Sequence, residues 1–137
     1  MNSKMNVVYA YSWHLPSSDL ATMQRIMEAV RAFCIDLGCE AVSSLDVKAD
    51  SAQFTAVVPN AGRHEFALTF STEGNSWSAS SSLSVSSFLE ISEIMHHAAT
   101  LGVFVRTTFA GMIMEYKRNA EGEIGVEQRS AFDPDTF

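Results

Sequence analysis

The sequence predicts one α+β domain over residues 1–137, a two-layer sandwich with a mainly antiparallel sheet and two helices packed on one of its faces. Two longer segments carry apolar residues at helical spacing, whereas several short segments carry them at period two. Turn-prone connectors join the short segments in the middle of the chain, and tight turns join antiparallel neighbours. The predicted order of elements is β-α-β-β-β-β-α-β-β.

The first strand and the first helix are the clearest elements in the sequence. Bulky residues alternate with smaller or polar ones from Val7, and this strand pattern ends before Pro16. We expect Ser17 or Ser18 to cap the helix that follows and Gly38 to end it. The apolar stripe of the helix, at roughly 100° per residue, contains Leu20, Met23, Ile26, Met27, Val30, Phe33, Cys34 and Leu37.

The next four segments predict an antiparallel meander. They cover residues 42–48, 53–58, 65–71 and 77–85 and are separated by short runs rich in Ala, Asp, Asn, Pro and Gly. In the third segment, Phe66, Leu68 and Phe70 alternate with polar or small residues. This alternation predicts a strand that buries one face only.

A second helix is predicted over residues 88–101, followed by two strands. Ser87 and Glu90 have the spacing of a capping box, and Gly102 follows the helix as a stop. The apolar stripe includes Ile91, Ile94 and Leu101. The extended segment 103–117 comes next, with a break expected near residues 110–111, and the last strand covers residues 124–128. We expect both helical stripes to share one core with the strand 65–71, and Phe33→Ala to cost about 3 to 5 kcal/mol if Phe33 is buried.

Net charge argues against partners that are themselves anionic. The chain carries a formal charge of −7 and has a pI of about 4.9, so a phosphate backbone would be repelled unless a basic patch compensated. The densest basic stretch, Lys117-Arg118, lies beside Glu115, Glu121 and Glu123. We therefore expect no nucleic-acid partner.

The sequence favours a cytoplasmic protein without membrane contact. Its first residues do not have the pattern of a signal peptide, and no apolar run approaches the roughly 18 residues that a spanning helix needs. The two cysteines, Cys34 and Cys39, are expected to be reduced thiols.

The adjacent histidines His96 and His97 raise the question of a metal site. Neighbouring helical residues project roughly 100° apart, so the two imidazoles cannot share a metal as ligands spaced i, i+4 do. Both lie in the last turn of the predicted helix, where Glu93 and the helix dipole account for them. Cys34 and Cys39 lack the spacing of zinc ligands. We expect no metal and no cofactor, and a site role for the histidine pair is the less favoured alternative.

The strand 77–85 has an unusual serine face. Ser78, Ser80, Ser82, Ser84 and Ser86 share one side, while apolar residues occupy the other. A solvated outer surface is the favoured interpretation. The alternative is a docking surface, because small side chains permit the close approach of a partner strand or helix.

Candidate ligand-binding residues lie in and after the first strand. Tyr9, Tyr11 and Trp13 share one face of it and are able to line a pocket between sheet and helices. His14 would add a titratable group next to a helix N-terminus, where free N–H groups attract anions. The alternatives are that the aromatic face is core and that the helix start is plainly capped.

Three functions remain open, and the non-enzymatic ones are favoured because no catalytic set or catalytic motif occurs in the chain. The first is a protein-binding module such as an adaptor, an inhibitor or a chaperone. The order of helix, strands, helix and strand pair is similar to that of the small acidic chaperones of type III secretion, although the leading strand departs from it. The second is a small-molecule-binding domain or enzyme with an aromatic-lined pocket, and the third is a structural homo-oligomeric subunit.

A homodimer is also predicted, through the sheet surface or an exposed strand. Two helices cover only part of a sheet whose seven predicted strands stand about 4.8 Å apart. Several strands carry apolar residues on both sides, notably 57–58, 103–105 and 112–114. A second subunit would cover the remaining surface, and two-fold dimers are the commonest oligomers.

Overall fold

The computed structural model describes residues 7–119 and 121–130. They form one antiparallel sheet of eight strands with two helices on one face, which confirms the predicted α+β sandwich. The elements in chain order are β1 (Val7–Leu15), α1 (Leu20–Leu37), β2 (Asp46–Val47), β3 (Ser51–Val58), β4 (Gly62–Ser71), β5 (Ser76–Val85), α2 (Leu89–Thr100), β6 (Phe104–Phe109), β7 (Met112–Arg118) and β8 (Ile124–Ser130).

The first strand lies in the middle of the sheet. The strand order is β2-β3-β4-β5-β1-β6-β7-β8. All nine residues of β1 pair with β5, from Val7 opposite Val85 to Leu15 opposite Trp77. Six of them pair with β6 on the other side. Because β1 lies between β5 and β6, it connects the strands β2–β5 on one side of the sheet with the strands β6–β8 on the other.

One core lies between the helices and the sheet. Nine residues predicted to form it are buried, namely Met23, Ile26, Met27, Val30, Cys34, Phe66, Leu68, Ile91 and Ile94. Leu20 is 39% exposed because it starts the first turn of α1, so its assignment to the core was wrong. Phe33, Phe70 and Leu101 are half-buried at the border of the core. The condition for the large cost of Phe33→Ala is therefore not met.

Both helix starts differ from the predicted caps. Asp19 caps α1, since its carboxylate accepts from the Ala21 amide at 3.3 Å and from the Thr22 hydroxyl at 2.6 Å. Neither Ser17 nor Ser18 caps it, and the Ser17 hydroxyl instead accepts from the Asp19 amide at 3.1 Å. Gly38 ends the helix in the left-handed conformation, as predicted.

The predicted capping box at the start of α2 is wrong. Ser87 accepts weakly from the Leu89 amide at 3.4 Å, while Glu90 turns away and accepts from the Asn60 side chain at 2.9 Å. Asn60 belongs to the turn between β3 and β4, and its backbone carbonyl also accepts from Ser86. Glu90 thus contacts Asn60, thirty positions away in the chain, instead of the neighbouring Ser87.

Two strand boundaries also differ. The extended segment 103–117 is a hairpin of β6 and β7, broken at Ala110 and Gly111, which both have positive φ. Segment 42–48 is mostly irregular; Asp46–Val47 forms a short strand beside β3, and the Ser43 amide donates to the Thr55 carbonyl at 2.8 Å. The sheet consequently has one strand more than the seven predicted.

The sheet opens as a wedge between β4 and β5. Only three residue pairs join these strands, from Thr69 opposite Ser78 to Ser71 opposite Ser76. Beyond them, β1 side chains span the gap: the Trp13 indole donates to the Ala67 carbonyl at 2.9 Å, and the Tyr11 hydroxyl lies 2.6 Å from Nε2 of His64.

Cys34 and Cys39 are free thiols, as expected. Neither helix of the described chain combines the length and the apolarity needed to cross a membrane.

Candidate functional site

The structure separates the four residues predicted to bind a ligand. Tyr11 and Trp13 are 4% and 1% exposed. The Tyr11 hydroxyl contacts His64 and the Trp13 indole donates to the Ala67 carbonyl, so the polar atoms of both side chains already have partners within the protein. Tyr9 is also buried, but it lines a cavity. His14 points to the opposite side of the sheet, where it packs beside Phe104 with ring centroids 6.1 Å apart.

The helix start after β1 does not present a free anion site. The Asp19 carboxylate occupies the place where an anion would meet the first amides of α1. Its contacts with the Thr22 hydroxyl and the Ala21 amide lower the pKa of Asp19. The carboxylate therefore serves as the cap, and His14 lies on another surface.

The Tyr9 cavity lies between the sheet and the beginning of α2, with a volume of about 210 Å³. Phe88 and Ser92 form its helix side. Cross-strand neighbours from four strands form its sheet side, namely Tyr9, Thr107, Phe109, Met112, Met114 and Gln128. Because these residues share the helix side of successive strands, the register of the sheet builds the cavity.

Three of the residues around the Tyr9 cavity carry a hydroxyl group, namely Tyr9, Ser92 and Thr107. Burial raises the pKa of Tyr9, and the nearby hydroxyls of Thr107 and Ser92 offset part of that rise. Within the described residues, the Tyr9 hydroxyl has no partner in hydrogen-bonding geometry. The oxygen of this hydroxyl is shielded from solvent.

A second concavity, the histidine cleft, has a volume of about 450 Å³. Its floor is the outer face of α2, with Ser92, Glu93, His96, His97 and Thr100, and its walls are Phe33 and Tyr116. His97 stacks on Phe33 with ring centroids 4.2 Å apart, while His96 meets the edge of Tyr116 at 5.8 Å.

The two imidazoles of the histidine cleft diverge toward opposite walls. Burial, together with the neighbouring His96, lowers the pKa of His97 and favours its neutral form. Among the residues that the structure describes, no group of three His, Cys, Asp or Glu side chains is placed to hold a metal ion. Aromatic packing accounts for both histidines.

The third candidate is the open face, the side of β5, β1, β6 and β7 that carries no helix. Its centre consists of small side chains, and all of the predicted serine face of β5 lies here except Ser86, which follows the strand. Ala10, Ser12, Ser80, Ser82 and Thr108 line a shallow depression beside Arg106. Val8 and Phe104, at opposite ends of the strands, are 62% and 43% exposed.

The described side chains of the open face carry charges of both signs. Arg106 and Glu115 form an ion pair across β6 and β7 at 3.3 Å. Lys117 and Glu127 follow on the same side of β7 and of the neighbouring β8, so two acidic and two basic groups are present among the side chains described there.

Sequence reasoning missed His64 and the walls of the Tyr9 cavity. The sequence places Phe88 at the start of the second predicted helix. It places Met112 and Met114 in a strand that is apolar on both sides, and neither position by itself indicates a cavity. The alternation Phe109, Met112, Met114 across a turn was the available signal. Comparison of the chain with protein-family models, with curated proteins and with solved structures found no match.

Proposed function

We propose that this protein is an interaction module that binds through its open face, and that the partner on this face is a second copy of the chain. The observation that carries the proposal is the low bulk of the central side chains, between two exposed apolar residues. Two sheets pack face to face about 10 Å apart when small side chains interdigitate.

The dimensions of the open face suit such a contact. Four strands about 4.8 Å apart and some seven residues long present roughly 440 Å² in projection. Accessible area exceeds projected area, and a standard interface buries about 800 Å² per partner. The open face is therefore of the right order for a two-fold dimer.

Symmetry and charge support the same partner. A two-fold axis that crosses the strands brings Val8 of one copy toward Phe104 of the second copy, and the reverse contact follows. Among the side chains that the structure describes on this face, Arg106 and Glu115 form an ion pair. Two copies of an acidic chain can thus approach here without strong repulsion.

Light scattering coupled to size exclusion tests the proposal. Across about a hundredfold dilution from the micromolar range, we expect the parent protein to show twice the 15.0 kDa mass of the monomer at the higher concentrations. Ser82→Arg places a charged, bulky side chain at the centre of the open face, so this variant should remain monomeric.

The matched control is Ala32→Arg, which adds the same side chain to an exposed position of α1. This control should dimerise as the parent does. A parent protein that is monomeric at every concentration overturns the proposal. Equal dimerisation of all three proteins also overturns it, because the contact would then lie on another surface.

A further inference from the structure

We propose that Cys34 and Cys39 form a dithiol site that reacts with small organic disulfides and closes to a disulfide bond within one chain. They are the two cysteines of the sequence, and both are free thiols in the structure. The site lies at the end of α1, on the helix side of the sheet, so the proposal does not depend on the dimer contact at the open face.

The turn that ends α1 brings the two cysteines together. Gly38 has a φ of 100°, the Cys39 amide donates back to the Cys34 carbonyl at 3.0 Å, and the Gly38 amide donates to the Ile35 carbonyl at 3.1 Å. These two hydrogen bonds define a Schellman motif, in which the side chains of the first and the sixth residue commonly touch. Cys34 and Cys39 occupy these two positions.

Neighbouring contacts hold each cysteine in place. Cys34 is 0% exposed within the core. The residue after Cys39 is Glu40, whose amide donates to the Val57 carbonyl at 2.9 Å and whose carbonyl accepts from the Val57 amide at 2.8 Å. The fold therefore keeps both thiols at one point, as a disulfide between near neighbours in the chain requires.

The two thiols differ in their access to a reagent. Cys39 is only half-buried, whereas Cys34 is shielded from solvent. Burial raises the pKa of both thiols, and the neighbouring Cys34 thiol offsets part of that rise at Cys39. Cys39 is therefore the thiol that reacts first, and mildly alkaline solution favours the reaction because the thiolate is the nucleophile.

The disulfide forms in two exchange steps. The Cys39 thiolate attacks one sulfur of the small disulfide, forms a mixed disulfide and releases one thiolate, which takes up a proton. Cys34 then loses its proton, and its sulfur attacks the Sγ atom of Cys39 and releases the second thiolate. The two cysteines lose two electrons and two protons, and the small disulfide gains them as two thiols.

Glutathione disulfide is the probe that tests the site. Folded, reduced protein is incubated with it in mildly alkaline buffer, quenched in acid and weighed by intact mass spectrometry. We expect a single chain lighter by two hydrogen atoms that retains no glutathione. Cys34→Ala should instead stop at a glutathione adduct on Cys39. Cys39→Ala should react at least about tenfold more slowly than the parent, because Cys34 is shielded.

The same reaction in unfolded protein separates a site built by the fold from the pairing of any two near neighbours in a chain. In a buffer of reduced and oxidised glutathione, the disulfide should be favoured at least about tenfold more in folded protein than in protein unfolded in urea. The amide NMR spectrum shows that the parent and both variants are folded before the reaction.

Four results would overturn the proposal. One is a folded parent that does not react, and another is a glutathione adduct on the parent that Cys34 does not displace. The third is a covalent dimer in place of the bond within one chain. The fourth is equal formation of the disulfide in folded and unfolded protein, because the turn at Gly38 would then contribute nothing.

Discussion

At the scale of single residues, the buried contact between Tyr11 and His64 is the most informative. His64 is 6% exposed, and its Nε2 lies 2.6 Å from the Tyr11 hydroxyl. Phe66 meets the imidazole edge-on at 4.6 Å. Burial lowers the pKa of His64 to about 4, so the folded protein holds a neutral imidazole at neutral pH.

Stability should therefore fall in mild acid through His64. The unfolded chain binds a proton at a pKa near 6.5, whereas the folded chain resists protonation down to about 4. The contribution of His64 is complete above pH 6.5 and is lost as the pH falls toward 4, with a total of about 3 kcal/mol. Urea unfolding at several pH values measures this loss.

His64→Gln provides the comparison for that experiment. The amide keeps a polar partner for Tyr11 but does not titrate, so the loss specific to His64 should disappear. His14→Gln, which removes the half-exposed histidine of the open face, should retain the dependence of the parent. Parallel pH profiles for the parent and His64→Gln would contradict the assignment.

At the scale of elements, the turn between β3 and β4 is joined to the start of α2. The carbonyl of Asn60 accepts from the amides of Ser86 and Ser87 and from the Ser86 hydroxyl. Its side chain donates to Glu90 at 2.9 Å. Asn60 has a φ of 62°, a conformation that asparagine tolerates better than most residues.

Asn60→Ala should destabilise the protein by about 1 to 2 kcal/mol, because alanine is strained in the left-handed conformation and the Glu90 contact is lost. Asn60→Gly relieves the backbone strain and loses only the side-chain contact, so it should cost less. Urea midpoints at neutral pH rank the two variants. A glycine variant as unstable as the alanine variant would mean that the turn conformation does not matter.

At the scale of the whole molecule, side chains of β1 hold the two parts of the sheet together. Backbone pairing between β4 and β5 stops at Thr69 and Ser78. The Trp13 indole crosses the gap and satisfies the Ala67 carbonyl, for which β5 supplies no partner. Trp13 also packs against Phe66, with ring centroids 6.2 Å apart.

Trp13→Phe should lower the free energy of unfolding by about 2 to 3 kcal/mol, because it leaves a void and an unpaired carbonyl. Hydrogen exchange should rise most in β4, where the indole no longer holds the strand. The exposed Leu89→Ala variant is the control, since it removes apolar volume without opening the core. Equal losses in the two variants would contradict a bridging role for Trp13.

The sequence by itself determined the class of fold and most of the core. Period-two and helical patterns report which side chains face inward, and burial of Met23, Val30, Phe66 and Ile94 follows directly from them. The sequence also predicted where the backbone takes the left-handed conformation, as at Gly38, which ends α1. These features depend on near neighbours in the chain, which is why the sequence carries them.

Only the tertiary structure decided the strand order, the caps and the cavities. Glu90 bonds Asn60, thirty positions away, and Asp19 takes the cap expected of its serine neighbours. The Tyr9 cavity exists because the register places residues of β1, β6, β7 and β8 side by side. Periodicity tells which face a side chain takes but not which strand stands beside it, because pairing between distant segments is chosen by the free energy of the whole core.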